Sequence, residues 1–374
     1  MNIYIPFAII AIFLCIINRQ NTVVAKRIFF ITFFLAFIFA AFRYEFGPDY
    51  INYRNSYEEV KAYGASAFIQ SRDVVSDPLF RFYQGIFFNY TIFLAFNSLL
   101  WFGISYYIYR KNIKCQYYWF LVLFLFFNVN CILNNLTAIR QSIAGSFVII
   151  AFLFLNTEMR WKRIWCFLVL FLASMFHISA LVLLPLAFLN KKRKSFLFTK
   201  EYLGVVVVLA FIAFLNRGII TQMIAGFMVE NIEEFARYQV YIEQIDGGTT
   251  GVASMIKYAV LLLLNIIPLY YISVCGPKEK DDSKVVYYKI GIIIATIAVV
   301  LGGGTMSRFI MMLNPFYIIA IIGCFDIIKD VRRTVILVSC VAVTSIYAFY
   351  FYLQNEYSES FLEYHSVFSA PFIP

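Results

Sequence analysis

The chain has 374 residues, of which 62% are hydrophobic, 20% are aromatic and only 14% are charged, and its net charge is +10. Soluble domains contain about 45–50% apolar and about 25% charged residues, so this composition argues against a soluble enzyme and against a disordered protein. A basic balance in so apolar a chain indicates lysine and arginine held on the cytoplasmic side of a membrane, not a nucleic-acid partner.

Ten segments are apolar and long enough, or nearly so, to cross a bilayer, which takes about 20 residues in a helix. We therefore predict an all-α polytopic membrane protein that forms a single integral membrane domain over residues 1–374, with about 10–12 transmembrane helices. The ten segments are residues 3–18, 28–42, 84–109, 117–133, 141–157, 202–216, 253–275, 285–304, 309–328 and 334–352.

The basic loops indicate the orientation of these segments. Clusters such as Arg110–Lys114 and Lys329–Arg333 all fall on one side of the membrane if the N-terminus is outside. The apolar stretch 164–190 is the difficulty, because a single straight helix would be about 40 Å long and would place the basic run Lys191–Lys194 outside. We favour a short hairpin that turns near His177, which keeps both of its ends inside and gives twelve membrane segments.

With this orientation the outer side carries a first loop at 43–83, a second loop at 217–252 and a C-terminal tail at 353–374. In the first loop, Tyr50, Tyr53 and Tyr57 share one helical face, which suits either stacking on sugar rings or an interfacial belt. Asp49 is a candidate cap of that helix. We expect the second loop to form an amphipathic helix along the outer surface, and the tail to be a solvated helix end.

Charged groups at the edges of apolar runs are costly, and they are candidate site residues for that reason. Arg43, Arg140, His177 and Arg308 stand out, and the predicted orientation brings them to the outer side. Each also has a structural explanation. Arg43 suits a snorkelling arginine at the interface, and Arg140 suits an arginine that only supports packing. His177 suits a hydrogen-bonded core histidine, and Arg308 suits a plain hairpin connection. Together they predict an outward-facing cavity for an anionic ligand at the outer leaflet.

The outer loops hold eight arginines and two lysines in this orientation. Guanidinium is a flat bidentate donor, so this bias suits a cavity that binds phosphate or carboxylate. The alternative is that topology simply disfavours lysine outside, and the sequence leaves both explanations open. No metal-ligand motif or phosphate loop is visible, so no cofactor is expected.

At these positions the chain resembles the EpsG/Wzy-type polysaccharide polymerases of bacterial membranes. The stretch Arg43–Tyr53 resembles the family's Arg–x–x–x–Gly–x–Asp–Tyr–x–x–Tyr segment, and Asp77–Phe80 resembles its acidic–Pro–x–Phe element. The other matching motifs are Arg140–Ala144, with Arg–Gln–x–x–Ala; Phe176–Ala180, with Phe–His–x–Ser–Ala; and the late arginine, Arg308.

The resemblance implies a metal-independent glycosyltransferase that joins oligosaccharide repeat units carried on undecaprenyl pyrophosphate. The site would face the outside of the bacterial inner membrane. The implied roles place Arg140 and Arg308 on the pyrophosphate, Arg43 on the pyrophosphate or a sugar, and His177 as the base, with Asp49 or Glu45 as the alternative base. The implied substrate-binding residues are Arg43, Tyr44, Glu45, Tyr53, Asp77, Gln141 and Arg237.

Two other readings share much of this chemistry, and the sequence leaves them open. One is a flippase that transports lipid-linked oligosaccharides, and the other is a ligase that moves finished polymer onto a different acceptor. The expected partners are lipid-linked oligosaccharides, membrane lipid, and a chain-length regulator and flippase of the same pathway, but no nucleic acid.

Overall fold

The computed structural model of the chain describes residues 4–64, 77–129, 131–192, 195–215, 252–275, 284–301, 307–328, 330–355 and 364–368. Within these residues the chain forms fourteen α-helices, three 3₁₀ helices and one pair of short strands. The α-helices are α1 Tyr4–Ile17, α2 Thr22–Ala41, α3 Tyr50–Tyr63, α4 Asp77–Ile86, α5 Tyr90–Asn112, α6 Tyr118–Phe127, α7 Ile132–Thr137, α8 Ile139–Leu155, α9 Lys162–Phe176, α10 Lys200–Leu215, α11 Val252–Cys275, α12 Val285–Leu301, α13 Ser307–Ile327 and α14 Val331–Asn355. The 3₁₀ helices are Cys115–Tyr117, Ile178–Phe188 and Phe196–Phe198, and the strands are β1 Arg43–Tyr44 and β2 His365–Ser366.

The prediction of an all-α polytopic membrane protein is confirmed. Among the described residues, Thr22–Ala41, Tyr90–Asn112 and Val331–Tyr350 are long and apolar enough to cross a membrane, and several shorter apolar helices accompany them. Large apolar side chains such as Phe13 and Phe30 are 60% and 53% exposed on the outside of the bundle. A surface of this kind is stable against lipid tails and unfavourable in water.

Local side chains decide where two of the long helices begin. The Asn21 side chain accepts a hydrogen bond from the backbone N–H of Val24 at 3.1 Å and starts α2. In the same way Asn89 accepts from the N–H of Thr91 at 2.7 Å and starts α5. Each amide oxygen satisfies a backbone donor that has no partner within its helix, which is why asparagine is favoured at this position.

The stretch 164–190 is the hairpin that the charge pattern favours. Helix α9 ends at Phe176, His177 is extended, and the chain returns as the 3₁₀ helix Ile178–Phe188. Beyond that helix the Lys191 ammonium lies 2.7 Å from the Glu158 carboxylate, just before α9 begins, so both ends of the segment lie together. The arms also match: 15 residues of α-helix and 11 residues of 3₁₀ helix each span about 22 Å.

Helix α8 lies at the centre of the bundle and packs against α5, α9 and α13. Its Gly145 lies under the ring of Trp101 on α5, and an added Cβ would be 2.9 Å from that ring. The glycine is therefore required for α5 and α8 to pack this closely. A second close contact joins α2 to α6, where Phe29 stacks on Tyr118 with ring centroids 4.1 Å apart.

The C-terminal tail differs from its prediction as a solvated helix end. Residues 364–368 return to the bundle, where β2 pairs antiparallel with β1 and brings Tyr44 opposite His365. Tyr364 stacks on Phe39 at 4.0 Å and donates its hydroxyl to the Phe39 carbonyl at 3.0 Å. The aromatic ring of Phe39, at the apolar end of α2, gives Tyr364 a surface to pack on. The predicted amphipathic helix at 217–252 and the acidic residues of 356–363 lie outside the described residues, apart from Val252, which begins α11.

Candidate functional site

The turn of the hairpin holds His177 in a defined orientation. Its Nδ1 accepts a hydrogen bond from the backbone N–H of Ser179 at 3.3 Å and lies 2.6 Å from the Ser179 hydroxyl. A backbone N–H can only donate, and on this contact we assign the acceptor role to Nδ1 and the proton of the neutral ring to Nε2. His177 therefore presents a proton donor at Nε2.

Gln141, in the first turn of α8, faces that donor. The structure places the side-chain nitrogen of the buried Gln141 3.1 Å from Nε2 of His177. Since Nε2 donates, the amide is satisfied when its oxygen faces the ring, and the two ends of an amide are interchangeable in shape. This contact joins the Arg–Gln motif of α8 to the Phe–His motif of the hairpin, which lies 36 residues further along the chain.

Arg140 lies beside this pair and is half-buried. Its Nε donates to the carbonyl of Phe176 at 3.2 Å, and its guanidinium lies 5.5 Å from the ring centroid of Phe80 in α4. The free carbonyl at the end of α9 and the face of an aromatic ring both attract a cation. These two contacts anchor one edge of the guanidinium, and they bring the Asp77–Phe80 element to the same place.

Among the described residues, Arg43 is the most buried charge at this end of the bundle. Its side chain is 2% exposed, and one terminal nitrogen donates to the carbonyl of Ala40. Within the described part of the chain its Nε has no hydrogen-bond partner and the side chain forms no ion pair. The titratable groups around it include the phenols of Tyr50, Tyr90 and Tyr364. Burial lowers the pKa of Arg43 from its ordinary value, although guanidinium stays charged in proteins.

The chain that follows Arg43 adopts an uncommon conformation. Glu45 has φ 49° and Gly47 has φ 100°, and the first of these is unusual for a residue with a side chain. The turn leaves Glu45 exposed and places Asp49 at the start of α3. Asp49 occupies the N-cap position, but its side chain makes no capping hydrogen bond, so the prediction that it caps the helix is wrong. The backbone N–H of Tyr50 is satisfied instead by the carbonyl of Gly47, at 3.1 Å.

Two of the three tyrosines in the stripe of α3, Tyr50 and Tyr57, face the protein, so neither sugar stacking nor an interfacial belt describes these two. Tyr50 and Tyr57 are 3% and 5% exposed, and both rings lie 5.5 Å from the ring of Tyr90 at the start of α5. Tyr53 is half-buried against Phe80 at 5.8 Å. The rings pack inward because α4 and α5 supply an aromatic surface that periodicity along α3 does not reveal.

Tyr44 contacts an arginine of the same loop. Nη1 of Arg54 lies 3.5 Å from the Tyr44 hydroxyl, and the guanidinium lies 5.7 Å from the ring centroid. Arg54 also forms an ion pair with Glu58 at 2.9 Å. The expected roles of Tyr44, Glu45 and Tyr53 in binding substrate remain predictions.

The structure places the remaining candidates by their backbone. Arg308 is in the first turn of α13, four residues before Met312, whose Cα lies near Gly145 of α8. Since α8 and α13 both start from this end of the bundle, Arg308 and Arg140 are placed at the same end. Asp77 is the first residue of α4. The side chains of Arg308 and Asp77, and the whole of Arg237, lie outside the described residues.

Sequence reasoning missed several polar groups that hold the site together. Gln84 of α4 is fully buried, accepts from the Ser56 hydroxyl at 3.1 Å and donates to the Tyr53 carbonyl at 3.3 Å, so it joins α4 to α3. Asn97 of α5 accepts from the Tyr83 hydroxyl at 2.8 Å. In the sequence, Gln84 and Asn97 each stand as an isolated amide inside an apolar run. An amide without a hydrogen-bond partner is costly in a membrane, so this pattern could have identified both residues.

The comparison with known proteins gives one match. A sequence model of the EpsG family matches residues 26–366 of the chain. No curated protein matches the chain, and no solved structure does either.

Proposed function

This chain belongs to the EpsG family, and on that basis we propose that it joins lipid-linked oligosaccharide units into a polysaccharide. Membership of this family supports a polysaccharide polymerase type of function in a membrane. The finer proposal is that the repeat units are carried on undecaprenyl pyrophosphate and are joined at the outer face of a bacterial inner membrane. The observation that supports it is the meeting of Arg140, Gln141 and His177 at the start of α8, where Ile139 and Ser142 of the same helix line a cavity with Arg43.

In the proposed reaction an acceptor sugar hydroxyl attacks the anomeric carbon of the growing chain. The bond from that carbon to the pyrophosphate oxygen breaks, and the lipid pyrophosphate leaves with the bonding electrons. The acceptor proton passes to a base. Negative charge therefore grows on the leaving oxygen, and preorganised cations and N–H donors near it lower the barrier.

Arg140 is our main candidate for that leaving group, and Arg308, in the first turn of α13 at the same end of the bundle, is the second. The Phe176 carbonyl and the Phe80 ring hold Arg140 in place before the substrate arrives. Positioning of this kind means that little reorganisation is needed as charge develops. We propose that guanidinium groups supply the charge neutralisation and that no metal ion is required.

The proton roles follow from the hydrogen bonds of His177. We propose that its Nε2–H, which faces the Gln141 amide in the free protein, is shared with a pyrophosphate oxygen when substrate binds. With the proton on Nε2 and Nδ1 accepting the Ser179 N–H, the ring suits donation better than removal of the acceptor proton. We therefore favour Asp49 as the base. It is half-buried at the start of α3, next to Tyr50, which faces Arg43.

We propose that this end of the bundle faces the outside. At the opposite end of α8, Lys191 binds the carbonyl of Asn156 at 3.1 Å and the Glu158 carboxylate. Lys114, after the last turn of α5, pairs with Asp326 at 2.9 Å. Lysine gathered at one end of a membrane bundle is typical of the cytoplasmic side.

The test is deletion of the gene in its host, followed by gel analysis of surface polysaccharide after complementation with wild type, Arg140→Ala and His177→Ala. A polymerase predicts loss of the ladder while a single repeat unit stays on its acceptor, with no rescue by either variant. Lipid-linked units trapped inside would show a flippase. Free polymer that never reaches its acceptor would show a ligase.

A further inference from the structure

Helix α4 touches the ends of other helices of the bundle. Its Phe80 ring lies 5.5 Å from the guanidinium of Arg140, which is in the first turn of α8. The ring of Tyr83 lies 5.6 Å from the ring of Phe176, the last residue of α9. A helix that contacts the ends of its neighbours lies over the end of the bundle, not beside the neighbours.

The same helix crosses the beginning of α5. Phe80 is in the first turn of α4 and Phe87 comes just after its last residue, so about 10 Å of chain separates them. Their ring centroids nevertheless lie 6.0 and 5.5 Å from one ring, that of Phe93 in the first turn of α5. If α4 ran alongside α5, the two rings would meet α5 at different levels. Helix α4 therefore lies along the plane of the membrane surface.

Two opposite faces of α4 differ in what they contact. Phe80 and Gln84 are four residues apart and are buried against the protein. Phe82 and Ile86, on the opposite face, are 60% and 64% exposed, and Phe88, just beyond the helix, is 82% exposed. An apolar face of this kind on a helix that lies flat is typical of a segment at a membrane interface.

The exposed face of α4 continues the lipid-facing surface of α5. Ile92, Phe96 and Leu99 follow one another along α5 at intervals of four and three residues, and all three are exposed. Helix α5 is long and apolar enough to cross a membrane, so this stripe contacts lipid. The ring of Phe87 lies 5.4 Å from that of Phe96 and joins the two surfaces. The lipid around α5 thus extends to α4.

The length of α5 gives the depth of α4. From Tyr90 to Arg110, in its last turn, α5 rises about 30 Å. The hydrocarbon core of a bilayer is also about 30 Å thick. With Arg110 at the head groups of one leaflet, Tyr90 is at the boundary of the other. Phe88 and Ile86 directly precede Tyr90, so they lie at the depth where interfacial helices bury their apolar face.

A lysine lies beside the last turn of α4. The Lys61 ammonium donates to the carbonyl of Gly85 at 3.1 Å, and its side chain is exposed. Lys61 is one of only two lysines in the loops predicted to be outside. A lysine at the boundary of the hydrocarbon places its apolar stem in lipid and its ammonium near the phosphates of the head groups. The charge next to the apolar face therefore matches a phospholipid surface.

We propose that α4 is an interfacial helix, with Phe82, Ile86 and Phe88 inserted among the phospholipids of the leaflet at the Arg140 end of the bundle. The inference goes beyond the proposed function and does not rest on it. It has a consequence for the site, because the opposite face of α4 carries Phe80 against Arg140. The lipid surface then helps to hold that guanidinium in position.

The test is photocrosslinking in cell membranes, with benzoylphenylalanine introduced into the full-length chain in place of Phe82 or Phe88. We expect irradiation to add the mass of one phospholipid to the purified chain. The positive control carries the crosslinker in place of Phe96, on the lipid-facing stripe of α5. The negative control carries it in place of Asn55, an exposed residue of α3 on the face opposite its buried tyrosines, and should gain no lipid.

A crosslink from position 82 or 88 to a second copy of the chain, or to another protein, would overturn the inference. So would the lack of a phospholipid adduct at these positions when position 96 forms one. These crosslinks decide the question without any further substitution.

A second measurement changes the face itself. With the crosslinker at position 88, Phe82→Asp should lower the yield of the phospholipid adduct several-fold, because a carboxylate is costly among acyl chains. Phe82→Leu keeps an apolar side chain and should leave the yield unchanged. A melting curve shows whether both variants are folded. Equal yields from the two folded variants would contradict insertion of this face.

Discussion

The side-chain amide of Gln141 lies 3.1 Å from Nε2 of His177 and joins the first turn of α8 to the tip of the membrane hairpin. The other ring nitrogen is held by Ser179. Both ring nitrogens of His177 therefore have a partner. The tautomer with its proton on Nε2 is the one that can accept the hydrogen bond from the backbone N–H of Ser179. This makes the role of His177 testable by substitution.

His177→Ala removes the donor, and we expect elongation of lipid-linked units by isolated membranes to fall about 100-fold or more, a loss typical of a positioned proton-transfer group. His177→Gln keeps an N–H near the position of Nε2, so the fall should be only about tenfold, the effect of one hydrogen bond to a charged group. The measurement is the initial rate of chain growth. Equal loss in both variants would instead show that the ring accepts a proton.

Arg140→Lys keeps the charge but loses the planar group that donates to the Phe176 carbonyl and lies over Phe80. We expect the rate to fall about 100-fold, as when one preorganised donor to a developing anion is lost. The matched control is Arg110→Lys. The Arg110 guanidinium also lies over a ring, 5.8 Å from the ring centroid of Tyr106, but it is in the last turn of α5, at the end of the bundle away from the candidate site. A rate for Arg140→Lys close to that of Arg110→Lys would remove Arg140 from the site.

Arg43→Met should raise stability while it abolishes polymer formation. The substitution removes a buried charge whose Nε has no hydrogen-bond partner in the described part of the chain, and the penalty of such a group is about 1–3 kcal/mol. The measurement is the thermal unfolding midpoint in detergent without lipid carrier. Arg81→Met, which disrupts an ion pair with the half-exposed Glu59, should change stability by less than about 1 kcal/mol. A lower midpoint for Arg43→Met would mean that the charge is satisfied inside the fold.

The Tyr364 side chain should stabilise the packing of the C-terminal tail against α2. Burial raises the pKa of Tyr364 to about 12, so its hydroxyl stays protonated and donates to the Phe39 carbonyl at neutral pH. We expect Tyr364→Phe to cost about 1 kcal/mol, the net value of one hydrogen bond, while Tyr364→Ala also loses the ring and costs about 3 kcal/mol or more. Phe368→Ala, at a side chain that is 81% exposed, is the control and should have little effect in the same unfolding experiment.

The hairpin and the orientation are testable together by labelling single introduced cysteines with a membrane-impermeant maleimide. Glu158→Cys and Lys191→Cys should react from the same side, since the native side chains are 2.7 Å apart. Asn55→Cys, at an exposed position in α3, should react from the opposite side of the membrane. Labelling of positions 158 and 191 from opposite sides of the membrane would show instead that residues 164–190 form a single long helix.

Much of the architecture was predictable because it depends on local composition. A lipid environment requires each span to satisfy its own backbone hydrogen bonds, so an apolar run such as 334–352 is recognisable without its neighbours. The turn at His177 was also predictable, because the basic residues on either side of 164–190 cannot both lie inside with one straight helix. The motif residues Arg43, Arg140 and His177 were identified as costly charges for the same local reason.

The tertiary structure alone decided how these residues meet, because those contacts join positions far apart in the chain. Tyr50 turned inward once α5 supplied Tyr90, and the tail paired with β1 because Phe39 gave Tyr364 a surface to stack on. The contact between His177 and Gln141 depends in the same way on two elements that are 36 residues apart in the chain. Sequence determined which segments enter the membrane, since transfer into lipid is a property of each segment. Only the packed bundle determined which polar groups are satisfied, since that depends on neighbours brought together by folding.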